Sequence, residues 1–244
     1  MKNILFILCI LICFTGCSDT YVWGWYILNP KLDNGYTNIL FLLSGLYITL
    51  IISLLSIFSS LIIGFFISLL SLSNYKYLKL VHRFYIEIVR SIPILVLLLW
   101  VYYGLPIVFG ISLGPFVAGI ISLALSDSAF EAEIFRAGIQ SVSKGQTDAA
   151  KSIALNKYQE MRLIIFPQAL KTILPAIGNQ FVYVLKMSSL VSIIGLADLT
   201  RKANELVVSV YRPLEVYTFL ILEYLILILI ISYFVRKLEK KMNN

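Results

Sequence analysis

Charge is the scarcest ingredient of this chain. Only 14% of its 244 residues are Asp, Glu, Lys or Arg, while 59% are hydrophobic; a typical soluble domain carries about 25% charged residues. With a mean hydropathy of +0.89, there is too little polar surface to cover a water-soluble fold. Histidine occurs once, at His82, and the three cysteines, Cys9, Cys13 and Cys17, all fall within the first seventeen residues. No His or acid stands beside those cysteines to complete a metal site, and the rest of the chain has no thiols for a disulfide framework. A GxxxxGK[ST] phosphate loop is also missing, so the chain does not hydrolyse ATP by that route. No catalytic residue, metal or bound cofactor is expected.

What is abundant is long apolar sequence. The runs Ile39–Leu72, Ile92–Phe109, Leu113–Leu125, Ile173–Leu199 and Val216–Phe234 approach or exceed what a helix needs to cross about 30 Å of hydrocarbon. They lack the strict alternation of a membrane barrel strand. In lipid the backbone must satisfy itself, so the expected fold is an all-α integral membrane protein with a five-helix core. The net charge of +7 does not point to nucleic acid, because the cations are segregated. Lys76, Lys79, Arg83 and Arg90 follow the first run, Arg136, Lys144, Lys151, Lys157, Arg162 and Lys171 occupy the centre, and Arg236, Lys237, Lys240 and Lys241 close the chain. The positive-inside rule assigns these segments and the C-terminus to the cytoplasm. The segments Tyr21–Thr37, Gly110–Gly114 and Thr200–Pro213 are then external, with Arg201, Lys202 and Arg212 as exceptions.

Residues 1–17 combine Lys2, an apolar stretch and Thr15-Gly16-Cys17. Two readings fit: a lipoprotein-type signal with lipidation at Cys17, or an extra membrane segment. Residues 18–36 read as an external linker and 37–244 as the membrane domain.

Inside the runs, the polar residues are the informative ones. Ser44, Gly45, Thr49, Ser53, Ser56, Ser59, Ser60 and Gly64 interrupt the first run, and small residues of this kind favour close helix packing over ligand contact. Ser91-Ile92-Pro93 opens the second run, and Trp100, Tyr102 and Tyr103 suit a headgroup interface. Asp127 and Glu131 lie four apart on one face of the third run, either lining a polar path or capping and solvating its end. Glu133 and Arg136 are spaced to pair. Gln180, Ser188 and Ser189 add donors and acceptors in the fourth run, which with Asp127 and Glu131 make a candidate substrate path that leans towards a cationic solute. His82, among Lys79 and Arg83, reads as a solvated surface residue.

The central polar stretch predicts two short helices. Gly145 ends a turn, Thr147 caps a helix beginning at Asp148, and Ala149, Ala150, Ile153 and Ala154 give it a small-residue face. A second helix runs from Lys157 to Phe166 and stops at Pro167. Either the lipid surface or close contact with a protein would suit such a pair; the alanine face favours protein.

Asp148-Ala149-Ala150, Ala154 and Ile164-Ile165-Phe166-Pro167 resemble the EAA loop of bacterial ABC importer permeases. Arg90-Ser-Ile-Pro-Ile-Leu, Tyr102-Tyr-Gly-Leu-Pro, Glu131-Ala-Glu-Ile-Phe-Arg-Ala-Gly-Ile-Gln140, Phe166-Pro-Gln-Ala-Leu170, Gly178-Asn-Gln-Phe181 and Ser189-Leu-Val-Ser-Ile-Ile-Gly-Leu-Ala-Asp-Leu-Thr-Arg201 narrow the resemblance to polar amino acid permeases of the histidine, arginine and glutamine type. It covers Gly45 to Phe234 in order. The resemblance implies an inner-membrane permease subunit that moves its substrate by alternating access. It also implies a second permease copy or homologue, a solute-binding protein, and separate ATP-binding subunits that carry the ATP and Mg. Gly145, Asp148, Ala149, Ala150, Ala154, Ile164 and Pro167, within the loop 140–170, would couple to those subunits. Asp148 stands where the family has Glu, Phe166 where it has Leu, Met187 where many relatives have an acid, and Ala154 where it has Gly, so a turn needing positive φ at 154 would be strained. Outside this family, the same composition would suit a non-transporting assembly or sensory subunit, or an importer of another small solute.

Overall fold

A computed structural model describes residues 21–243. The signal-like segment 1–17, with Cys17, lies outside the described residues. The described chain is helical throughout, without strands. After a 3-10 turn, Trp25–Leu28, come α1 (Asp33–Leu43) and α2 (Leu46–Leu72), which run on as one 40-residue helix, Asp33–Leu72. Next are α3 (Lys76–Ser91) and α4 (Ile94–Phe109), bent by 92° from each other, and α5 (Pro115–Gln140). The chain continues through α6 (Lys144–Ser152), the 38-residue α7 (Lys157–Ile194), α8 (Leu199–Val210) and α9 (Pro213–Asn243). Four of these helices are long and apolar enough to cross a membrane, or five if the bent α3–α4 pair is one span.

The bend follows from local chemistry. Proline disfavours helical backbone at the residue before it, and Ile92 is extended at φ −88°, ψ 119°. Instead of a membrane anchor alone, Trp100–Gly104 forms a π-helical turn inside α4 that buries Val101 and packs Tyr102 into the core, while Trp100 and Tyr103 stay exposed.

The central seam joins α2 to α5. The polar interruptions of α2 fall on one face, where Thr49, Ser53, Ser56, Ser60, Gly64 and Ser68 are buried, as the small-residue stripe predicts. Most hydroxyls turn back to their own helix, such as Ser53 to the Thr49 carbonyl at 2.7 Å, which satisfies them within an apolar seam; Ser56 is the exception, with no partner among the described residues. At Gly64 a Cβ would stand 2.6 Å from the Glu131 Cβ and 2.9 Å from the Ala132 nitrogen. Only glycine lets the helices approach this closely. At Gly138 a Cβ would meet the Ile173 side chain at 2.3 Å, which brings α7 equally near to α5.

Part of the segment read as a linker is built into the fold. Ile27 and Leu28 are buried with Leu42, Ala203, Leu206 and Val216. The Glu215 carboxylate, fully buried, accepts from the Tyr21 hydroxyl and the Gly24 amide, and Arg212 donates to the Val22 carbonyl at 2.7 Å. Its bond to Glu215 pushes the Tyr21 phenol above its ordinary pKa. The basic residues between the last two spans find partners too: Arg201 and Lys202 both reach Glu205, at 2.8 and 3.6 Å.

Replacing Gly64 by Leu is expected to destabilise the bundle by about 1–3 kcal/mol or more, the range for overpacking a close contact. A lowered thermal midpoint in detergent would register it, and an unchanged midpoint would contradict the seam.

Candidate functional site

Two arrangements stand out, one in the bundle and one in the connection between α5 and α7. In the bundle, Asp127 on α5 is 2% exposed. It accepts from the Ser60 hydroxyl on α2 at 2.6 Å and from the Gln180 amide on α7 at 2.5 Å. One carboxylate thus ties three helices together. Glu131, one turn further along α5, is fully buried in the α2 seam, and neither of its oxygens has a partner among the described residues. Ser128 joins the same region through the Tyr85 hydroxyl of α3 at 2.6 Å. These acids therefore do not cap or solvate a helix end; they are packed inside.

Beside this tie lies a cavity of about 320 Å³ between α3, α5 and α7, lined in part by Arg90, Phe130, Glu133, Thr172 and Gln180. The Arg90 guanidinium sits 4.4 Å from the Phe130 ring centroid, a cation–π contact that holds the charge at the cavity wall. The volume is at the lower end of small-molecule sites. Of the path residues expected from sequence, Asp127 and Gln180 are brought together and Glu131 lies nearby. Ser188 and Ser189 are not part of the group: they sit in the 3-10 end of α7 and donate to the Leu185 and Lys186 carbonyls at 2.8 Å each.

Glu133 and Arg136 pair at 2.6 Å, as their spacing predicts. His82 departs from expectation. It is 7% exposed, with Nδ1 at 3.1 Å from the Ile67 carbonyl and Nε2 at 3.2 Å from Glu133. The amphipathic turn of α3 places it on the buried face with Ile86 and Val89, turned from solvent towards Glu133.

The connection between α5 and α7 differs from the two-helix expectation at both ends. α6 begins at Lys144 after Ser143, so Gly145 lies inside its first turn, and Thr147 does not start it. Pro167 stops nothing. It occupies the opening of a regular α-helical stretch where its missing N–H does no harm, just after a π-helical turn over Glu160–Ile165, and α7 runs on to Ile194. Ala150 is the one fully buried residue of α6, whereas Asp148, Ala149 and Ile153 are exposed. α6 packs against the π turn at the foot of α7, where Ile164 is half-buried and Pro167 exposed.

Ala154 adopts φ +57°. The left-handed turn that a family glycine would make is kept with a side chain in place. Such a conformation costs an L-residue about 1–2 kcal/mol, and the turn survives because it is held by the Ala154 amide on the Lys151 carbonyl at 2.9 Å and the Leu155 amide on the Ala150 carbonyl at 3.1 Å. Sequence reasoning missed Ser60 as a partner of Asp127, and the bond between Tyr85 and Ser128 beside it. The four-residue spacing of Ser56, Ser60 and Gly64 gave the face, but nothing in it gave the pairing.

Replacement of Ala154 by Gly should relieve the turn and raise local stability by about 1 kcal/mol. Slower amide exchange at Ala154 and Leu155 would show it; faster exchange would mean that the turn is not strained.

Comparison with known proteins agrees with this geometry. Residues 60–244 match the family described as binding-protein-dependent transport system inner membrane component. A putative glutamine transport system permease of Rickettsia prowazekii is 35% identical over 207 residues, covering 85% of this chain and 95% of its own. A probable glutamine ABC transporter permease of Bacillus subtilis is 37% identical over 209 residues, with 86% and 96% covered, and an arginine transport system permease of the same organism is 35% identical over 204, with 84% and 93% covered. Among solved structures, an amino acid ABC transporter crystallised with histidines superposes with a TM-score of 0.82 at 38% identity, covering 91% of this chain and all of that one. An inward-facing methionine ABC transporter gives 0.72 at 20% identity over 84% of this chain and 97% of its own, which speaks for the fold alone. The family match over residues 60–244 and these relatives place the chain in the family of binding-protein-dependent transport system inner membrane components, as a multi-pass permease subunit.

Proposed function

We propose that the chain is one permease half of an ATP-driven importer of polar amino acids, working with a second permease copy or homologue, separate ATPase subunits that hold ATP and Mg, and an external solute-binding protein. The observation that carries this reading is mechanical. α6 rests on the foot of α7, and the same continuous helix brings Gln180 to Asp127. A displacement imposed on α6 by a cytoplasmic partner would reach the tie in the bundle along this one helix. A floppy connection would dissipate it.

The exposed side of α6, with Asp148 and Ala149, would meet the ATPase, and the buried Ala150 would transmit the movement. For the substrate, the Arg90 guanidinium and the second N–H of the Gln180 amide offer donors to an α-carboxylate at the cavity wall. Asp127 is already committed to Ser60 and Gln180, so its place in this scheme is to hold Gln180 rather than to touch the solute. The relatives named for glutamine and arginine support a polar amino acid as the cargo.

Ala150→Glu would force a carboxylate into the contact between α6 and α7, where a buried unpaired charge costs several kcal/mol. In vesicles reconstituted with the ATPase, ATP hydrolysis should persist while uptake falls about tenfold or more; full uptake would sink the coupling role. A panel of radiolabelled solutes should show saturable uptake of glutamine or arginine and none of leucine. The reverse preference would leave the permease assignment standing and overturn the cargo.

A further inference from the structure

Outside the coupling loop and the central cavity, α3 has a surface that import does not explain. Three stripes run along it. His82, Ile86 and Val89 face the bundle; Lys76, Lys79, Arg83, Glu87 and Arg90 form an exposed charged stripe; and Leu80, Phe84 and Ile88 form an exposed apolar one, with Leu80 and Phe84 63% and 65% exposed. A helix that shows water a cationic stripe beside an apolar stripe has the chemistry of one lying in a membrane interface. Its 92° bend from α4 turns it away from the direction of that helix.

The charged stripe also walls a pocket of about 420 Å³, closed on the other side by Glu133, Arg136 and Gln140 of α5. Four cations, Lys79, Arg83, Arg90 and Arg136, face it against two carboxylates, Glu87 and Glu133. Both carboxylates are already taken, Glu87 by Arg83 at 2.7 Å and Glu133 by Arg136 at 2.6 Å. Among the described residues Lys79 and Arg90 form no ion pair. The pocket therefore carries an unbalanced positive charge, next to an uncovered apolar stripe, in a segment that the positive-inside rule assigns to the cytoplasmic side.

We propose that α3 and this pocket bind an anionic phospholipid of the cytoplasmic leaflet, with its phosphodiester between Lys79 and Arg83 and its acyl chains along Leu80, Phe84 and Ile88. Charge and apolarity together select this occupant. A second copy docking on the same face through a two-fold axis would set cations against the same cations. A free phosphate would satisfy the pocket and leave the apolar stripe in water. Basic pockets beside spans on the cytoplasmic side suit phospholipid headgroups for this reason.

The full chain, in nanodiscs of phosphatidylcholine with a minority of phosphatidylglycerol, is the material for the test, and lipids retained after mild extraction are counted by native mass spectrometry. The wild type should keep phosphatidylglycerol in preference to phosphatidylcholine. Lys79→Gln with Arg83→Gln should lower that preference by about 30-fold, from about fivefold per cation near the surface, while Lys79→Arg with Arg83→Lys retains it and so excludes misfolding as the cause. Arg90 is left unchanged because it also walls the central cavity. Equal retention of the two lipids by the wild type would overturn the proposal. So would an undiminished preference in the Gln variant, loss of the lipid on adding inorganic phosphate, a disulfide between copies through Leu80→Cys, or loss of the preference on exchanging Arg236 and Lys240 for Gln instead.

Discussion

Lipid gives two apolar helices no reason to leave it for each other, so a membrane bundle must be held by closeness of fit and by polar contacts that hydrocarbon cannot replace. Here both are concentrated where α2 crosses α5. Gly64 removes the side chain that would keep the helices apart, and Ser60 gives the Asp127 carboxylate a donor at the same seam. The remaining elements attach to what this crossing has fixed. α3 packs back on α2 and α5 through His82 and Tyr85, and α7 closes on α5 at Gly138 and at Asp127.

The connection between α5 and α7 is joined to the bundle by the same means. α7 is continuous from Lys157 to Ile194, yet its first turns are wound as a π-helix and carry α6 against them. π turns interrupt the regular hydrogen-bond ladder and recur at functional positions.

The class of fold was legible in the sequence because it rests on quantities that add up along the chain: hydropathy, run length and the clustering of Lys and Arg. So was the α2 stripe, whose spacing of three and four is a local property. The turn at Ala154 was visible only through the resemblance, which has Gly at that position and so implies a positive φ; the structure has φ +57° there. What stayed hidden was tertiary. Pro167 reads as a helix stop, but a proline in the opening turn of a helix is as acceptable as one after its end, and only the path of the chain decides. His82 looks solvated beside Lys79 and Arg83 until the helical turn sends it inward. Ser188 and Ser189 share a run with Gln180, but the chain has turned into a 3-10 helix by then, and their hydroxyls are spent on the preceding carbonyls.

The clasp at Glu215 bears on how such a protein is made. Its carboxylate joins residues 194 and 191 positions earlier in the chain, so the segment at Tyr21 to Gly24 leaves the ribosome long before its partner exists. Loop closure over that distance carries an entropic penalty that only an assembled bundle can offset. The clasp is therefore a late event in biogenesis, since Glu215 stands in the first turn of the last described helix and all the earlier spans precede it.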